Sequence, residues 1–309
     1  PERNFIQNGE RRGLLTLPYG LYSLGGVVLA FLILCLCGIL PAQAGAAPLL
    51  DAPDRVARGD AFLVLASSPQ PVQRFVFSWG GKDYAADAYQ EGEQWQAVIL
   101  LGMPLEEKQT ARTLTVRGGT ESASARIAVF DRKRPVQKLT VDRKYVSPPA
   151  DVMARIKEDR RKVARALAIY SSRRSWTAPF VRPVEGGISS QYGLRRVFNG
   201  QPRGFHKGLD LRSPEGTPIK ACADGVVTLA DNLYFSGNAV YLDHGLGVVT
   251  AYLHMSKILV RPGESVRRGQ VVGLVGATGR VTGPHLHLSL FAQGQSVDIL
   301  PLLEKVEKR

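Results

Sequence analysis

The chain from about residue 48 to residue 142 alternates apolar and polar residues over short stretches that glycine-containing turns separate. Alternation with a period of two is typical of strands that bury one face. The predicted strands are residues 62–65, 72–79, 95–101, 113–116 and 126–130. Short strands at this spacing favour a β-sandwich. The region contains no histidine, so we interpret residues 48–142 as an accessory domain without chemistry of its own.

A helical period replaces this alternation at about residue 150. The apolar positions near one face are Val152, Ile156, Val163, Leu167 and Tyr170. Asp151 stands where a capping residue is expected. The opposite face is basic, with Lys157, Arg160, Arg161, Lys162 and Arg165. We interpret residues 143–177 as a helical linker with a solvated basic face; contact with an anionic polymer or membrane surface is the alternative.

From about residue 178 the chain is rich in β-branched residues and glycine, and turn dipeptides separate short apolar runs. The predicted strands are residues 218–221, 225–230, 239–243, 248–255, 270–275 and 285–291. Short strands joined by tight turns predict an antiparallel β domain. The expected fold is therefore mostly β, with an N-terminal β-sandwich, a helical linker and a C-terminal antiparallel domain over residues 178–309.

The N-terminal segment, residues 1–47, has the pattern of a signal peptide. Arginines precede a stretch without charged residues, whose most apolar part, residues 26–40, is shorter than the roughly 20 residues of a spanning helix. Ala42-Gln43-Ala44 follows and matches a signal-peptidase site. We expect export to the periplasm or cell envelope. Anchoring to the inner membrane is the alternative if the segment is uncleaved, and membrane contact is then confined to it.

Charge and cysteine content add little to this picture. The formal net charge of +13 attracts polyanions but does not distinguish nucleic acid, anionic lipid and cell-wall polymer. Given export, we expect no nucleic-acid partner. Removal of the leader would leave Cys222 as the remaining cysteine, so no intrachain disulfide is expected.

The five histidines all lie between residues 206 and 287. His206 and Asp210 are four residues apart, and His285 and His287 alternate on a predicted strand, where such residues share a face. Catalytic zinc takes three ligands from His, Asp or Glu and keeps one position for water, which it makes acidic enough to attack at neutral pH. One imidazole of the pair is therefore expected to bind metal, while its neighbour reaches the water or the substrate.

Hydrolysis also needs a group that accepts and returns a proton, and a donor for the oxyanion. His254 and His285 are the candidates for these roles. The spacing of His206 and Asp210 and that of His285 and His287 are each common by chance. The indication of a hydrolase site comes from their joint occurrence with His254 in this order. His244 lies in a hairpin-turn pattern, and we assign it no chemical role.

Most of these residues lie in longer motifs. The motifs are ISSQYGLRR (188–196), FHKGLD (205–210), GTPIKACADG (216–225), VTAYLHMS (249–256), GQVVGLVGATG (269–279) and TGPHLH (282–287). Together they resemble the lysostaphin/LytM-type family of zinc metallopeptidases, which cut peptide cross-links in bacterial cell walls. The resemblance implies a barrel-sandwich hybrid fold for the C-terminal domain. It also implies one zinc ion per chain on His206, Asp210 and His287, with His254 and His285 acting on the water and the oxyanion.

The resemblance predicts a zinc metalloendopeptidase that hydrolyses peptide cross-links or stem peptides of peptidoglycan through a zinc-activated water. The alternative is a non-catalytic envelope module that binds peptidoglycan or activates another hydrolase, and the complete set of five residues argues against it. A carrier domain is disfavoured because Lys257, the nearest lysine to a carrier-like hairpin, lies in no such context. The bond that is cut, coverage of the cleft by the N-terminal domain and the oligomeric state stay open.

Overall fold

The computed structural model of the protein describes residues 46–304. The predicted signal peptide or anchor, residues 1–47, lies outside the described residues except for its last two. Within the described part, the helices are too short or too polar to span a membrane. The expected mostly β fold class is confirmed.

The first part of the described chain is built from strands that alternate buried and exposed residues. They are β1 (Leu49–Asp51), β2 (Arg55–Ala57), β3 (Ala61–Ser68), β4 (Arg74–Trp79), β5 (Lys82–Asp87), β6 (Tyr89–Glu91), β7 (Gln94–Gly102), β8 (Ala111–Gly118) and β9 (Glu121–Phe130). They form a sheet in the order β1-β3-β7-β6 and another in the order β2-β9-β8-β4-β5. Phe75 and Phe77 of β4 and Ile99 of β7 are fully buried in one core that both sheets share. Each such side chain contributes roughly 1.5–3 kcal/mol through burial.

The segment between the β regions contains β10 (Val136–Leu139), α1 (Arg143–Val146), a 3₁₀ turn (Ala150–Val152) and α2 (Met153–Ala168). The predicted capping by Asp151 is wrong. Asp151 lies inside the 3₁₀ turn, and Val152 occupies the N-cap position of α2 without a side-chain hydrogen bond. The helix therefore starts one residue later than a cap at Asp151 predicts.

Helix α2 lies on the C-terminal sheet. Val163 and Leu167 of the predicted apolar face pack, partly buried, against a cluster that contains Leu233 and Tyr241. Tyr170, also predicted on this face, lies beyond the end of the helix. The basic face is partly engaged with the sheet rather than wholly solvated, because Lys162 Nζ lies 2.6 Å from Asp231 Oδ2.

The C-terminal region contains the remaining strands. They are β11 (Ile188–Ser190), β12 (Arg195–Phe198), β13 (Gln201–Phe205), β14 (Leu209–Leu211), β15 (Pro218–Lys220), β16 (Gly225–Leu233), β17 (Gly237–Asp243), β18 (Val248–Met255), β19 (Lys257–Ile258), β20 (Ser265–Val266), β21 (Val271–Leu274), β22 (Leu286–Ala292) and β23 (Gln295–Val297), with a 3₁₀ turn at Leu300–Leu302. The central sheet has the order β11-β14-β22-β18-β17-β16-β20, and β23 pairs with β22. A smaller sheet, β15-β21-β19, contributes Ile219 and Val272 to the core that also buries Leu288 of the central sheet.

Strand β10 joins the two β regions. It pairs in parallel with β12, from Val136 opposite Arg195 to Leu139 opposite Phe198, and β13 lies on the far side of β12. The sequence analysis placed β10 in the accessory domain, 48–142, and its partners in the domain 178–309. Those domain boundaries stay a prediction, and the pairing of β10 with β12 connects the two predicted domains by hydrogen bonds. A four-residue strand without a fully buried face gives no signal of its partner, which is why this pairing was not predicted.

Candidate active site

Three side-chain atoms meet at one point in the C-terminal region: His206 Nε2, Asp210 Oδ1 and His287 Nδ1. His206 Nε2 lies 3.0 Å from the carboxylate oxygen and 3.1 Å from His287 Nδ1, and the last two atoms are 2.8 Å apart. Ligand atoms of a tetrahedral zinc ion, at about 2.0 Å from the metal, lie about 3.3 Å from one another. Two imidazoles and one carboxylate are also the donors that open zinc sites use. The three predicted ligands therefore come together in a set that fits zinc.

Strand register brings these residues together. Asp210 on β14 lies directly opposite His287 on β22, and directly opposed residues of antiparallel strands have neighbouring side chains. Gly208 precedes β14, and a Cβ at this position would overlap the His287 ring and the Leu288 carbonyl oxygen. The glycine is thus required for the ring of His287 to reach the site.

Hydrogen bonds at the far nitrogen orient both imidazole ligands. His206 Nδ1 donates to the Gln191 carbonyl oxygen at 2.7 Å, which leaves the Nε2 lone pair for the metal. His287 Nε2 donates to Ser289 Oγ at 2.9 Å, and that hydroxyl donates to the Lys207 carbonyl oxygen. Such contacts fix the tautomer and the ring orientation of a metal ligand.

Asp210 is held by a buried arginine. Arg196 Nη2 donates to Asp210 Oδ2 at 3.0 Å and to Ser190 Oγ at 3.0 Å. Oδ1 is therefore the carboxylate oxygen left for the metal. Ser190 Oγ in turn donates to Gln137 Oε1 of β10 at 3.0 Å. Sequence reasoning did not identify Gln137, Ser190 or Arg196 as site residues, because each reaches the site through a strand pairing that the sequence does not reveal.

The protonation states suit metal binding. Burial by itself would raise the pKa of Asp210, but the neighbouring His206 and His287 hold this pKa well below its ordinary value. Burial lowers the pKa of His287. An ionised carboxylate and a neutral imidazole are the forms in which these side chains bind metal.

His254 and His285 face the same point. His254 Nδ1 donates to the Thr278 carbonyl oxygen and His285 Nδ1 to the Gly283 carbonyl oxygen, both at 2.8 Å. With Nδ1 as donor, Nε2 is the acceptor nitrogen in the neutral tautomer of each ring. The ring centroids are 5.1 Å apart. His285 Nε2 lies 3.8 Å from Asp210 Oδ1.

His254 is buried and its backbone is strained. Burial, followed by the neighbouring His287 and His285, lowers the pKa of His254 to about 3, so the ring is neutral at pH 7 and can accept a proton. Its φ of +66° is in the left-handed region, which costs a residue with a side chain roughly 1–3 kcal/mol. A backbone hydrogen bond to the Ser236 carbonyl oxygen, 2.9 Å, holds it there. Strain of this kind is common where geometry serves function.

His244 is not part of the site. It is fully buried beyond the other end of β18, where Nδ1 donates to the Asp224 carbonyl oxygen at 2.6 Å. Nε2 accepts from Thr250 Oγ1 at 2.7 Å. Burial lowers the pKa of His244 to about 4. Both ring nitrogens are thus used within the fold.

A cleft of about 500 Å³ leads to the converging side chains. Its walls include β10, β12 and β13 on one side and the segment 280–285 on the other. The volume is in the range of sites that hold small ligands or several residues of an extended peptide. The metal donors lie in this cleft together with His254 and His285.

The fold and the donor set define a β domain with an open His-Asp-His metal site. Residues 204–299 match peptidase family M23.

Relatives share this domain. The chain is 44% identical over 127 residues to the peptidoglycan DD-endopeptidase ShyA of Vibrio cholerae, which is 40% of this chain and 30% of that protein. It is 44% identical over 111 residues to the DD-carboxypeptidase/endopeptidase Mpg of Neisseria gonorrhoeae, which is 36% of this chain and 26% of that protein. The match thus spans less than a third of the length of either relative.

A solved structure resembles a larger part of the chain. The crystal structure of a putative peptidase M23 from Pseudomonas aeruginosa is similar with a TM-score of 0.60 and 29% sequence identity, over 78% of this chain and 92% of that one. The likeness therefore extends well beyond the residues that match the family.

Proposed function

We propose that the protein is a zinc metalloendopeptidase that hydrolyses peptide cross-links or stem peptides of peptidoglycan in the cell envelope. The main support is that His254 and His285 line the same cleft as the three metal donors, each with its Nδ1 bonded to a backbone carbonyl oxygen. A metal site that serves structure alone uses four protein ligands and has no need of such neighbours.

In this proposal His206, Asp210 and His287 hold the zinc ion. Bound zinc supplies a Lewis acid, which polarises a peptide carbonyl and makes water acidic enough to react at neutral pH. His254 or His285 accepts the proton of the attacking water on Nε2. The resulting imidazolium then donates that proton to the oxyanion or to the leaving amine.

The substrate class is supported by the relatives and by the predicted export. ShyA and Mpg are named as endopeptidases, and ShyA as one that acts on peptidoglycan. An N-terminal segment with a signal-peptide pattern delivers a protein to the compartment of the cell wall.

The experiment is digestion of purified peptidoglycan sacculi by the full chain, followed by mass analysis of the released peptides. We expect about one zinc per chain, release of peptides, loss of release with a chelator and recovery on addition of zinc. Absence of release from the zinc-loaded protein contradicts the proposal. Release that requires a second hydrolase instead supports an activator.

A further inference from the structure

The cleft carries far more positive than negative charge. Among the described residues that line it, the charged side chains are Arg196, Arg203, Lys207, Arg212, Arg280 and a single carboxylate, Asp210. That carboxylate is already contacted by Arg196 and by the two imidazole ligands. Within residues 46–304, the other four cations form no ion pair with a carboxylate. The cleft is therefore matched to an anionic occupant.

Arg280 lies against two aromatic rings. Its guanidinium carbon lies 4.8 Å from the ring centroid of Phe198 and 4.9 Å from that of Phe235, within the range of cation–π attraction. Within residues 46–304, its guanidinium forms no hydrogen bond or ion pair with another side chain or carbonyl oxygen. The aromatic rings thus hold the cation in place while its N–H donors stay available.

The environment of Arg280 favours an added negative charge. The side chain is half-buried, and this burial, followed by the charges of Arg196 and Arg203, lowers the pKa of its guanidinium. Removing a charge from water without a partner costs free energy, which a bound anion offsets. A carboxylate fits best, because the planar guanidinium binds both its oxygens through parallel hydrogen bonds.

The two segments that hold Arg280 also hold His254. Arg280 follows Thr278 by two residues, and the Thr278 carbonyl oxygen accepts from His254 Nδ1. The Arg280 backbone N–H donates to the Phe235 carbonyl oxygen at 2.8 Å, and the next residue, Ser236, accepts from the His254 backbone N–H. A group bound by Arg280 therefore occupies a fixed position relative to His254 Nε2.

We propose that Arg280 binds a free carboxylate of the peptide substrate beside the scissile bond, and that the enzyme consequently prefers peptides carrying such a carboxylate to otherwise identical neutral peptides. This inference rests on the proposed function and adds to it the charge of the substrate and the residue that selects it. A neutral peptide offers only amide oxygens, which take single and weaker hydrogen bonds from a guanidinium.

The test uses the zinc-loaded full chain and two synthetic cross-linked peptides, one with free side-chain and α-carboxylates and one in which the same groups are amides. We expect wild type to cleave the carboxylate peptide with a kcat/KM at least about tenfold higher. Arg280→Gln should lose at least about tenfold on that peptide and change little on the amide. The kcat/KM of Arg280→Lys on the carboxylate peptide should lie between those of wild type and Arg280→Gln. Lysine keeps the charge but lacks the two parallel N–H donors of the guanidinium.

Arg261→Gln is the matched control. Arg261 is exposed in the turn that joins β19 to β20, and its replacement removes the same charge outside the cleft. This variant should keep the wild-type preference. Thermal unfolding of each variant verifies that it is folded.

Equal cleavage of the two peptides by wild type overturns the inference. An equal loss on both peptides in Arg280→Gln also overturns it, because a merely structural role predicts that result. If neither peptide is cleaved, the proposed function fails, and fluorescence anisotropy of the labelled peptides decides the inference. If the carboxylate peptide binds more tightly than the amide and this difference depends on Arg280, the carboxylate site is supported even though the proposed function has failed. Equal binding of both peptides refutes the site.

Discussion

The two ends of β18 each carry a buried histidine, yet they differ in what the second ring nitrogen meets. His244 precedes the strand and His254 lies near its other end, and each donates Nδ1–H to a backbone carbonyl oxygen. At the hairpin end, where β17 turns into β18, the hydroxyl of Thr250 bonds to Nε2 of His244. At the cleft end, the end of β18 that carries His254, the histidine lines the same cleft as the metal donors. Burial and residue type are the same. Within the described residues, Nε2 of His254 has no hydrogen-bond partner, so this histidine is available for chemistry. Both ring nitrogens of His244 are bonded, so this histidine stabilises the turn.

The largest expected effect is at the metal donors of the cleft end. Asp210→Asn removes the negative charge that attracts a cation, so zinc content should fall well below one per chain and peptide release by at least about 10³-fold, since the Lewis acid is worth several kcal/mol. Atomic emission and muropeptide analysis measure the two quantities. Asp243→Asn, a buried aspartate at the hairpin end, is the control and should retain zinc. Full zinc in Asp210→Asn contradicts the ligand assignment.

His254→Gln should retain zinc and lose activity. General acid–base catalysis contributes about 10²–10⁴-fold, and the glutamine keeps the side chain neutral but does not accept the proton. His244→Asn is the counterpart at the hairpin end and should keep most of the activity of the folded protein. If His254→Gln and His244→Asn remain folded and lose activity to the same extent, the different roles assigned to the two histidines are wrong.

The hairpin end should govern stability at acidic pH. The pKa of His244 is about 4 in the folded protein against an ordinary value of 6.5, so the unfolded chain binds the extra proton between these values. Its contribution is complete above pH 6.5 and is lost as the pH falls to 4, by about 3 kcal/mol in total. Urea unfolding from pH 7.5 to 4 measures this loss in wild type.

His244→Asn serves as the control for that titration. It is expected to be less stable than wild type at pH 7.5, by roughly 1–3 kcal/mol for the lost hydrogen bonds of the buried imidazole, but to lose less stability on acidification. Other buried groups titrate in both proteins, so the difference between the two curves isolates His244. Parallel curves contradict the assignment.

The smallest expected effect is at Gln137, which belongs to β10 yet supports the cleft end. Gln137→Ala leaves Ser190 without its acceptor and should lower kcat/KM by about fivefold, the equivalent of one hydrogen bond. Gln90→Ala, on an exposed strand of the N-terminal sheets, is the control. An unchanged kcat/KM in Gln137→Ala would show that β10 does not contribute to activity.

Much of this arrangement follows from the sequence, because local patterns encode it. Alternation and turn signals located eleven of the 23 described strands, and the helical period located α2. Four of the five clustered histidines line the cleft, and His244 does not. Arg196 could not be assigned to Asp210 in this way, because the two lie on different strands and their contact depends on register. Nor does a sequence show which nitrogen of His244 or His254 is free, since backbone carbonyl oxygens and a hydroxyl decide it.

The parallel pairing of β10 with β12 has a practical consequence for expressing parts of the protein. Composition suggests that the C-terminal domain can be expressed from residue 178, and a fragment starting there contains all five histidines. It lacks β10, however, and so exposes an edge of β12 and loses the contact between Gln137 and Ser190. Exposed strand edges also promote association between copies. A fragment beginning before residue 136 keeps that edge covered, and its kinetics are the ones to compare with those of the full chain.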